Sequence, residues 1–300
     1  MAFRSPASQA LKMIKLLNQA TKANGEKAIK GIQTGDNYQK GLTRAAEWLK
    51  DTNNGQLHHM TPELGKAFLE DRASEVGQKE LDQERQAIQC MFRFGTGQLE
   101  EKENLEVIKS DFQQILASRS YTQEQIDHIS DHQAPHNALA TQIAADAGLR
   151  AHELYTLQRI DKRKPDVRPA NDEKFSGHEG QAYTVQGKGG LVREVRIRDD
   201  LAKQLEQRRL DSPNEIKDRN INYQRHYDIG GGKNWSNSFS KASNRCLGFS
   251  NGAHGLRHSF AQNRMAHFQK EDLLHRELAL ETVSQELGHF RASITEVYLR

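Results

Sequence analysis

The sequence has few cysteines, no long apolar runs and little net charge. Its 300 residues include two cysteines, Cys90 and Cys246, which excludes a disulfide framework and a zinc ribbon. Both lie in helical patterns with apolar neighbours, so we expect buried free thiols in a reducing compartment. No apolar run reaches membrane-spanning length, and the N-terminus lacks the apolar core of a signal peptide. We therefore expect a cytoplasmic protein with no membrane partner.

The net charge is small, because 43 Lys and Arg oppose 40 Asp and Glu and leave a formal charge of +3. That value alone does not indicate a nucleic-acid-binding protein. The first 30 residues are more basic and contain one acid, Glu26. A DNA-contacting arm and a solvated helix face both fit this charge run. The candidate DNA-binding residues of the arm are Lys12, Lys15, Lys22, Lys27 and Lys30.

Helical patterns dominate the first part of the chain. Ser5-Pro6 is a helix start, and apolar residues then recur at helical spacing to about residue 94. Thr61-Pro62 starts another helix in the same way. The signals are weaker over 95–120, where we expect one more helix and a linker. We predict a basic N-terminal helix or arm over 1–30, a helical domain over 31–115 and a second domain over 116–300.

The second domain has a mixed pattern. Thr122-x-x-Gln125 is a capping box, and residues 137–147 form an alanine-rich helix closed by a glycine. Two short β-prone runs, 182–186 and 191–197, flank a glycine-rich turn and predict a hairpin. We expect the chain from Leu201 onward to be helical with polar loops. The predicted fold class is mainly α with a small β-hairpin or sheet.

Arg150 and Lys188 are the first candidates for phosphate chemistry. Arg150 follows a glycine turn at a predicted helix start, where its guanidinium could bind a phosphate beside free helix amides. Glu153 lies one turn on and could orient it, although an ordinary surface ion pair also fits. Lys188 stands at the predicted hairpin tip, where a lysine is either solvated or placed to reach a DNA groove.

The C-terminal part carries two further motifs. His254 and Arg257, three residues apart, face one side of a predicted helix. His289 follows a helix that we expect Thr282 to open and Gly288 to close. Tyr298 comes nine residues later, on a helix that Ser293-x-x-Glu296 would cap. Taken singly, His254 and Arg257 suit a phosphate better than a core, with a structural histidine as the alternative, whereas a tyrosine at such a position usually serves in packing.

Together these motifs resemble the tyrosine recombinase, or integrase, family. The chain contains G-L-R-x-x-E-L, a lysine in a hairpin turn, H-x-L-R-H, and L-G-H with a tyrosine nine residues on, all in the family's order. The resemblance covers about residues 116–300 and implies a mixed α/β catalytic domain. The helical bundle before it resembles the family's core-binding, SAM-like DNA-binding domain by pattern alone.

The resemblance implies a mechanism that needs no metal and no cofactor. Tyr298 would attack the scissile phosphate and form a 3′-phosphotyrosine, while Arg150 and Arg257 would stabilise the non-bridging oxygens. His254 would assist removal of the phenol proton, His289 would hydrogen-bond the phosphate, and Lys188 would protonate the leaving 5′-oxygen. Glu153 would hold Arg150 and its helix in position without itself contacting the phosphate.

The implied partners are double-stranded DNA with inverted-repeat sites, a homo-tetramer at synapsis and an accessory DNA-bending or directionality factor. The implied role is integration or excision of a mobile element. A type IB topoisomerase-like enzyme and a non-catalytic DNA-binding protein on the same scaffold remain alternatives. The polar segment 199–253 either contacts DNA or covers the core.

Two other patterns point to different chemistry but are incomplete. Gly230-Gly231-Gly232-Lys233 lacks the hydroxyl residue and the preceding strand of a nucleotide-binding loop. His128, His132 and His136 are spaced by four, but Pro135 interrupts the helix before the third, so we expect surface histidines and no metal site.

Overall fold

The structure is a computed structural model, and it describes residues 4–113, 117–187, 189–289 and 291–300. The chain divides into two compact units, Met1–Ile115 and Leu116–Arg300. Each unit has an apolar core of its own. Within the described ranges, no helix is both long enough and apolar enough to cross a membrane.

The first unit is a helical bundle. Two of its helices begin as the sequence predicts, because the hydroxyls of Ser5 and Thr61 each accept a backbone hydrogen bond from the first turn and a proline follows each of them. Short 3₁₀ and π-helical turns extend the bundle at Leu57–His59 and Phe92–Thr96. The helices are α1 (Pro6–Gln19), α2 (Ile32–Asp51), α3 (Pro62–Ala73) and α4 (Gln78–Met91).

Helix α1 is part of this bundle. Its apolar stripe, which includes Ala10, Ile14 and Leu17, is buried in the same core as residues of α2 and α4. Lys12 and Lys15 lie on the exposed side of the helix. The basic charge of α1 is therefore presented to solvent by a helix whose other face is fixed by packing.

The helix predicted within 95–120 is wrong for the described residues of that stretch, which are not helical beyond the turn that ends at Thr96. The chain there is held by side chains of α4 instead. The side-chain oxygen of Gln89 accepts from the amide of Leu105 at 2.9 Å, and Gln78 bonds both Ile108 and Ser110. Because side chains supply the hydrogen-bond partners of these backbone groups, the segment does not need the backbone hydrogen bonds of a helix.

The second unit combines helices with two small antiparallel sheets, and the predicted fold class is confirmed. Its first half contains α5 (Gln123–Asp131), α6 (Pro135–Asp146), a 3₁₀ turn (Glu153–Thr156), β1 (Gln158–Arg159), β2 (Gln181–Gln186), β3 (Val192–Ile197) and α7 (Asp199–Glu206). Its second half contains β4 (Arg209–Asp218), β5 (Ile221–Tyr227), α8 (Gly232–Leu247), α9 (Gly255–Lys270), α10 (Arg276–Leu287), α11 (Ala292–Thr295) and a final 3₁₀ turn (Glu296–Leu299).

The predicted hairpin is confirmed as β2 and β3, which pair antiparallel from Gln181 opposite Ile197 to Gln186 opposite Val192. Strand β1 adds to the other edge of β2. On β3, side chains alternate between partly exposed and buried, so Val195 and Ile197 face the core of the unit. The capping box at Thr122 is also confirmed at the start of α5.

The prediction that the chain is helical from Leu201 onward is wrong, because β4 and β5 form a second hairpin. Its turn residues, Arg219 and Asn220, have φ of 48° and 61°, the left-handed pair that a tight hairpin turn requires. Most side chains of β4 are exposed and the strand contains Pro213. No alternation of apolar residues marked it in the sequence.

Two predicted helix starts near the C-terminus are also wrong. Helix α10 begins at Arg276, and Thr282 lies in its middle with its hydroxyl bonded to the carbonyl of Leu278 at 2.8 Å. Helix α11 begins after Arg291 without a side-chain cap, so Ser293 does not cap it. Gly288 does end α10, in a left-handed conformation.

Candidate active site

Arg150 lies in the turn that follows α6, and it precedes a 3₁₀ turn; the predicted α-helix start at this position is wrong. The turn depends on Gly148, whose φ is 59°. A Cβ at Gly148 would stand 2.6 Å from the ring of Phe260 on α9. Gly148 thus allows the chain to approach α9 and to aim its own carbonyl at Arg257, whose Nη1 donates to it.

Glu153 is completely buried and holds two arginines. Its Oε1 accepts from Arg150 Nη1 at 2.7 Å, and its Oε2 accepts from the Arg150 amide at 2.9 Å. The same Oε2 accepts from Arg193 Nη2 at 2.8 Å. Burial opposes the charged carboxylate, but Arg193, Arg257 and Arg150 outweigh it, so the pKa of Glu153 lies well below its usual range.

Arg257, on the first turn of α9, is fully buried. Its Nη2 donates to the carbonyl of Leu287 at the end of α10 and lies 3.1 Å from His289 Nε2. Burial lowers the pKa of Arg257 to about 9, although the charge of Glu153 opposes this. At neutral pH the guanidinium therefore stays charged and ties α9 to the end of α10.

Tyr298, in the final 3₁₀ turn, lies at the centre of a cluster of rings. Its ring centroid is 5.2 Å from that of His289, nearly stacked at 24°, and 5.4 Å from that of His254. It is 4.8 Å from the ring of His258 and 5.6 Å from the guanidinium carbon of Arg257. The tyrosine is 7% exposed.

The three histidines of this cluster are held neutral at pH 7. Desolvation and then the charge of Arg257 lower the pKa of His254 to about 4 and that of His289 to about 3. The His254 side chain is exposed on one side, but its ring packs against those of Tyr298 and His258. Desolvation, followed by the charge of Arg119, also lowers the pKa of His258 to about 4. Each neutral imidazole keeps a nitrogen lone pair that can accept a proton.

The structure thus brings together five of the six residues predicted to be catalytic, Arg150, His254, Arg257, His289 and Tyr298, with Glu153 beneath them. The sixth, Lys188, lies outside the described residues. Its neighbour Gly187 closes the end of the β2–β3 hairpin by donating to the carbonyl of Leu191 at 2.7 Å. A Cβ on Gly187 would stand 3.4 Å from Glu153 Oε1 and 3.9 Å from Arg150 Nη1. This end of the hairpin therefore adjoins the arginine pair.

Two residues of the cluster were not identified from the sequence. Arg193 faces the core from β3, on the same side as Val195 and Ile197, and donates to the carbonyl of Glu286 at 2.7 Å. An arginine at a buried position of an alternating strand was the signal that could have identified it. His258 lies one turn after His254 and is the last residue of the H-x-L-R-H motif, but no role was predicted for it from the sequence.

The candidate DNA-binding lysines belong to the first unit and are spread over two segments. Lys12 and Lys15 are on α1, whereas Lys22, Lys27 and Lys30 follow it, with Thr21 and Lys27 joined in a short antiparallel bridge. Lys30 pairs with Glu26 at 2.6 Å. The five lysines therefore do not form one continuous helical face.

Comparison with known proteins identifies the fold. No protein-family model matches the sequence, and no curated protein sequence matches it. Solved structures do match over almost the whole chain. The XerH site-specific recombinase bound to difH substrate in a pre-cleavage complex is 15% identical, with a TM-score of 0.58 over 100% of this chain and 94% of that one.

Two further structures agree with this result. A lambda integrase dimer bound to a COC′ core site is 16% identical, with a TM-score of 0.59 over 98% of this chain and 94% of that one. The Tn1549 transposon integrase in complex with circular intermediate DNA is 13% identical, with a TM-score of 0.53 over 99% and 95%. The chain has the fold of the tyrosine recombinases.

Proposed function

We propose that this protein is a site-specific DNA recombinase of the integrase type, which cleaves and rejoins DNA strands through a 3′-phosphotyrosine on Tyr298. The observation that carries the proposal is the packing of the Tyr298 ring among three neutral histidines and Arg257, with Arg150 close enough for its charge to lower the pKa of His254 and His289. The shared fold with XerH, lambda integrase and the Tn1549 integrase supports it.

The charges of the cluster suit an anionic substrate. Arg150, Arg193 and Arg257 carry three positive charges around the single carboxylate of Glu153. A phosphodiester would add the negative charge that this group lacks, and buried guanidiniums stabilise charge that develops on phosphoryl oxygens. Arg150 is 24% exposed and can meet a phosphate directly.

Arg257 needs a rearrangement before it can do the same. It has no exposed surface, and the ring of Tyr298 lies over its guanidinium. We infer that the short 3₁₀ turn carrying Tyr298 shifts when DNA binds, because a single turn after α11 is easier to move than α9 or α10. The shift would expose Arg257 and turn the phenol oxygen toward the phosphorus.

The proposed reaction balances without a metal or a nucleotide. The phenol oxygen of Tyr298 forms a bond to phosphorus while its proton passes to neutral His254, and the bond from phosphorus to the 5′-oxygen breaks. The proposed donor to that 5′-oxygen is Lys188, and His289 hydrogen-bonds the phosphate. The phosphotyrosine keeps the phosphoester bond, so a 5′-hydroxyl of a partner strand can reverse the reaction without ATP.

The proposed partners follow from strand exchange. Two duplexes with inverted-repeat sites would be held by four copies of the chain. An accessory protein would bend the DNA or set the direction of the reaction, and the DNA exchanged would belong to a mobile element. Lys12 and Lys15 on α1, together with Lys22, Lys27 and Lys30 after it, would add contacts to DNA phosphates. We propose that residues 31–115 act as the core-binding domain and residues 116–300 as the catalytic domain.

The test is covalent capture. The purified full chain is mixed with duplexes whose central sequence is randomised. Each duplex carries a nick near the cleavage point, so that a short fragment with a 5′-hydroxyl is lost after cleavage and the adduct cannot be resealed. We expect an adduct on a denaturing gel, with the DNA linked to the peptide that contains Tyr298. Tyr298→Phe should abolish the adduct, whereas Tyr223→Phe, which removes a hydroxyl elsewhere in the second unit, should leave it.

Equal adduct in wild type and Tyr298→Phe, or an adduct on another residue, would overturn the proposal. Sequencing of the captured DNA gives the site for a second assay. Exchange of strands between two such sites supports a recombinase. Relaxation of one supercoiled plasmid without exchange supports the topoisomerase-like alternative, and binding without any adduct supports a non-catalytic DNA-binding protein.

A further inference from the structure

Helices α5 and α8 bring three metal-binding side chains together. His128 and His132 are four residues apart on one face at the end of α5, and their ring centroids are 4.6 Å apart. Cys246 lies in the last turn of α8. One ligand atom from each of the three lies within 4.8 Å of the others.

The local hydrogen bonds prepare these residues for coordination. The ring Nδ1 of His132 lies 2.8 Å from the carbonyl of His128, an oxygen that the end of the helix leaves without a helical partner. Nδ1 can only donate to that oxygen, so Nε2 keeps the lone pair that a metal needs. Arg245 donates to the carbonyl of His132 at 2.8 Å and ties the end of α8 to the end of α5.

Cys246 would supply the thiolate ligand. The sequence predicted that Cys246 is a buried free thiol; it is free, but it is only partly buried. Both histidine side chains are exposed, so their rings can rotate toward the thiol. A tetrahedral Zn²⁺ holds its ligand atoms about 3.3 to 3.7 Å apart, given bond lengths of about 2.0 to 2.3 Å. Rotation of exposed side chains within 4.8 Å can reach that spacing.

We propose that His128, His132 and Cys246 form a binding site for a borderline-soft divalent transition metal of the Zn²⁺ class. Two imidazoles and a thiolate select such ions over Mg²⁺ and Ca²⁺, which take oxygen ligands. Three protein ligands on a solvent-facing cluster leave the fourth tetrahedral position to water. When the metal binds, the thiol of Cys246 loses its proton to solvent and the thiolate sulfur bonds to the metal.

The site departs from the prediction that the chain binds no metal. His136, the third histidine of the sequence pattern, lies beyond Pro135 on α6 and is not part of the cluster. Its place is taken by a cysteine more than a hundred residues away in the chain. None of the three ligands belongs to the Tyr298 cluster, so the metal would clip α5 to α8 and take no part in strand transfer.

Cobalt titration of the reduced, untagged full chain tests the proposal. Co²⁺ is the probe because a thiolate ligand gives it a near-ultraviolet charge-transfer band and a tetrahedral site gives it intense visible bands. We expect both bands to appear, and Zn²⁺ to displace them. Cys246→Ser should remove the charge-transfer band, and His128→Gln or His132→Gln should weaken Co²⁺ binding at least about tenfold.

Two matched variants control for other ligands. Cys90→Ser removes the other thiol, and His136→Gln removes the neighbouring exposed histidine; both should titrate like wild type. Zn²⁺ should also raise the Tm of wild type but not that of Cys246→Ser. The proposal is overturned if wild type gives no charge-transfer band, if the band survives in Cys246→Ser, or if both histidine variants bind as tightly as wild type.

Discussion

Each unit of this protein contains a buried glutamate held between two arginines, and the two groups differ in what surrounds them. In the first unit, Glu84 accepts from Arg44 at 2.8 Å and from Arg72 at 3.0 Å. In the second unit, Glu153 accepts from Arg150 at 2.7 Å and from Arg193 at 2.8 Å. The glutamates are 1% and 0% exposed, so both ion pairs are desolvated on the acidic side.

The balance of charge separates the two groups. The arginines around Glu84 also reach further acids, since Arg44 pairs with Glu80 at 2.8 Å and Arg72 pairs with Glu75. Two positive charges there meet three negative ones. Around Glu153 the charge of Arg257 joins those of Arg150 and Arg193, so three positive charges meet one negative charge. A closed network stabilises a fold, whereas a surplus of guanidiniums fits an anionic ligand.

Removing the charge of Glu153 should destabilise the folded protein more than removing the charge of Glu84. Glu153→Gln leaves the buried Arg193 and Arg257 and the partly exposed Arg150 with no acid among them, and we expect a loss of about 3–5 kcal/mol in the free energy of unfolding. Glu84→Gln should cost about 1–3 kcal/mol, because Glu75 and Glu80 still neutralise its arginines. Urea unfolding followed by circular dichroism measures both. Equal losses would contradict the distinction between an open and a closed network.

Truncation of the more exposed arginine should sharpen the difference in function. Arg150→Ala removes a donor that we propose contacts the phosphate, so we expect the rate of adduct formation on captured DNA to fall about a hundredfold to a thousandfold. Arg44→Ala is the matched change in the first unit and should leave that rate within about twofold of wild type once binding is saturated. Single-turnover cleavage provides the comparison, and an unaffected rate in Arg150→Ala would remove it from the reaction.

The neutral histidines predict that acid destabilises the second unit. In His258 the pKa is lowered to about 4, so the folded state binds fewer protons than the unfolded state between that pH and about 6.5. His258 therefore costs the folded state no stability above pH 6.5, and it lowers the free energy of unfolding increasingly as the pH falls toward 4. We expect wild type to unfold at lower urea at pH 5 than at pH 7.5. His258→Phe, which cannot titrate, should show a smaller difference, and an unchanged difference would count against this assignment.

The smallest expected effect concerns the surface charge of the first unit. Lys12→Ala and Lys15→Ala should weaken DNA binding modestly and regardless of sequence, and each should reduce the slope of log affinity against log salt by about 0.9 if it contacts a phosphate. Lys66→Ala is the control, because Lys66 already pairs with Glu106 at 2.7 Å. Salt titrations of binding measure the slopes. Identical slopes in all three variants would mean that α1 is a solvated helix face.

Local patterns predicted the elements that chemistry close in sequence defines. Ser5-Pro6, Thr61-Pro62 and the capping box at Thr122 each satisfy free amides within one turn, so the sequence locates those helix starts. The β4–β5 hairpin escaped prediction because its strands are mostly exposed and carry no apolar alternation. Its pairing depends on backbone hydrogen bonds and on two left-handed turn residues.

The sequence by itself determined which residues are candidates for phosphate chemistry: Arg150, His254, Arg257, His289 and Tyr298 were all predicted from motifs of a few residues. Only the tertiary structure decided how they are charged and held. Arg193 joins Glu153 from a strand 40 residues away, and His132 meets Cys246 from another helix. Desolvation and through-space charge set the pKa of each group, and both depend on neighbours that are far apart in the chain.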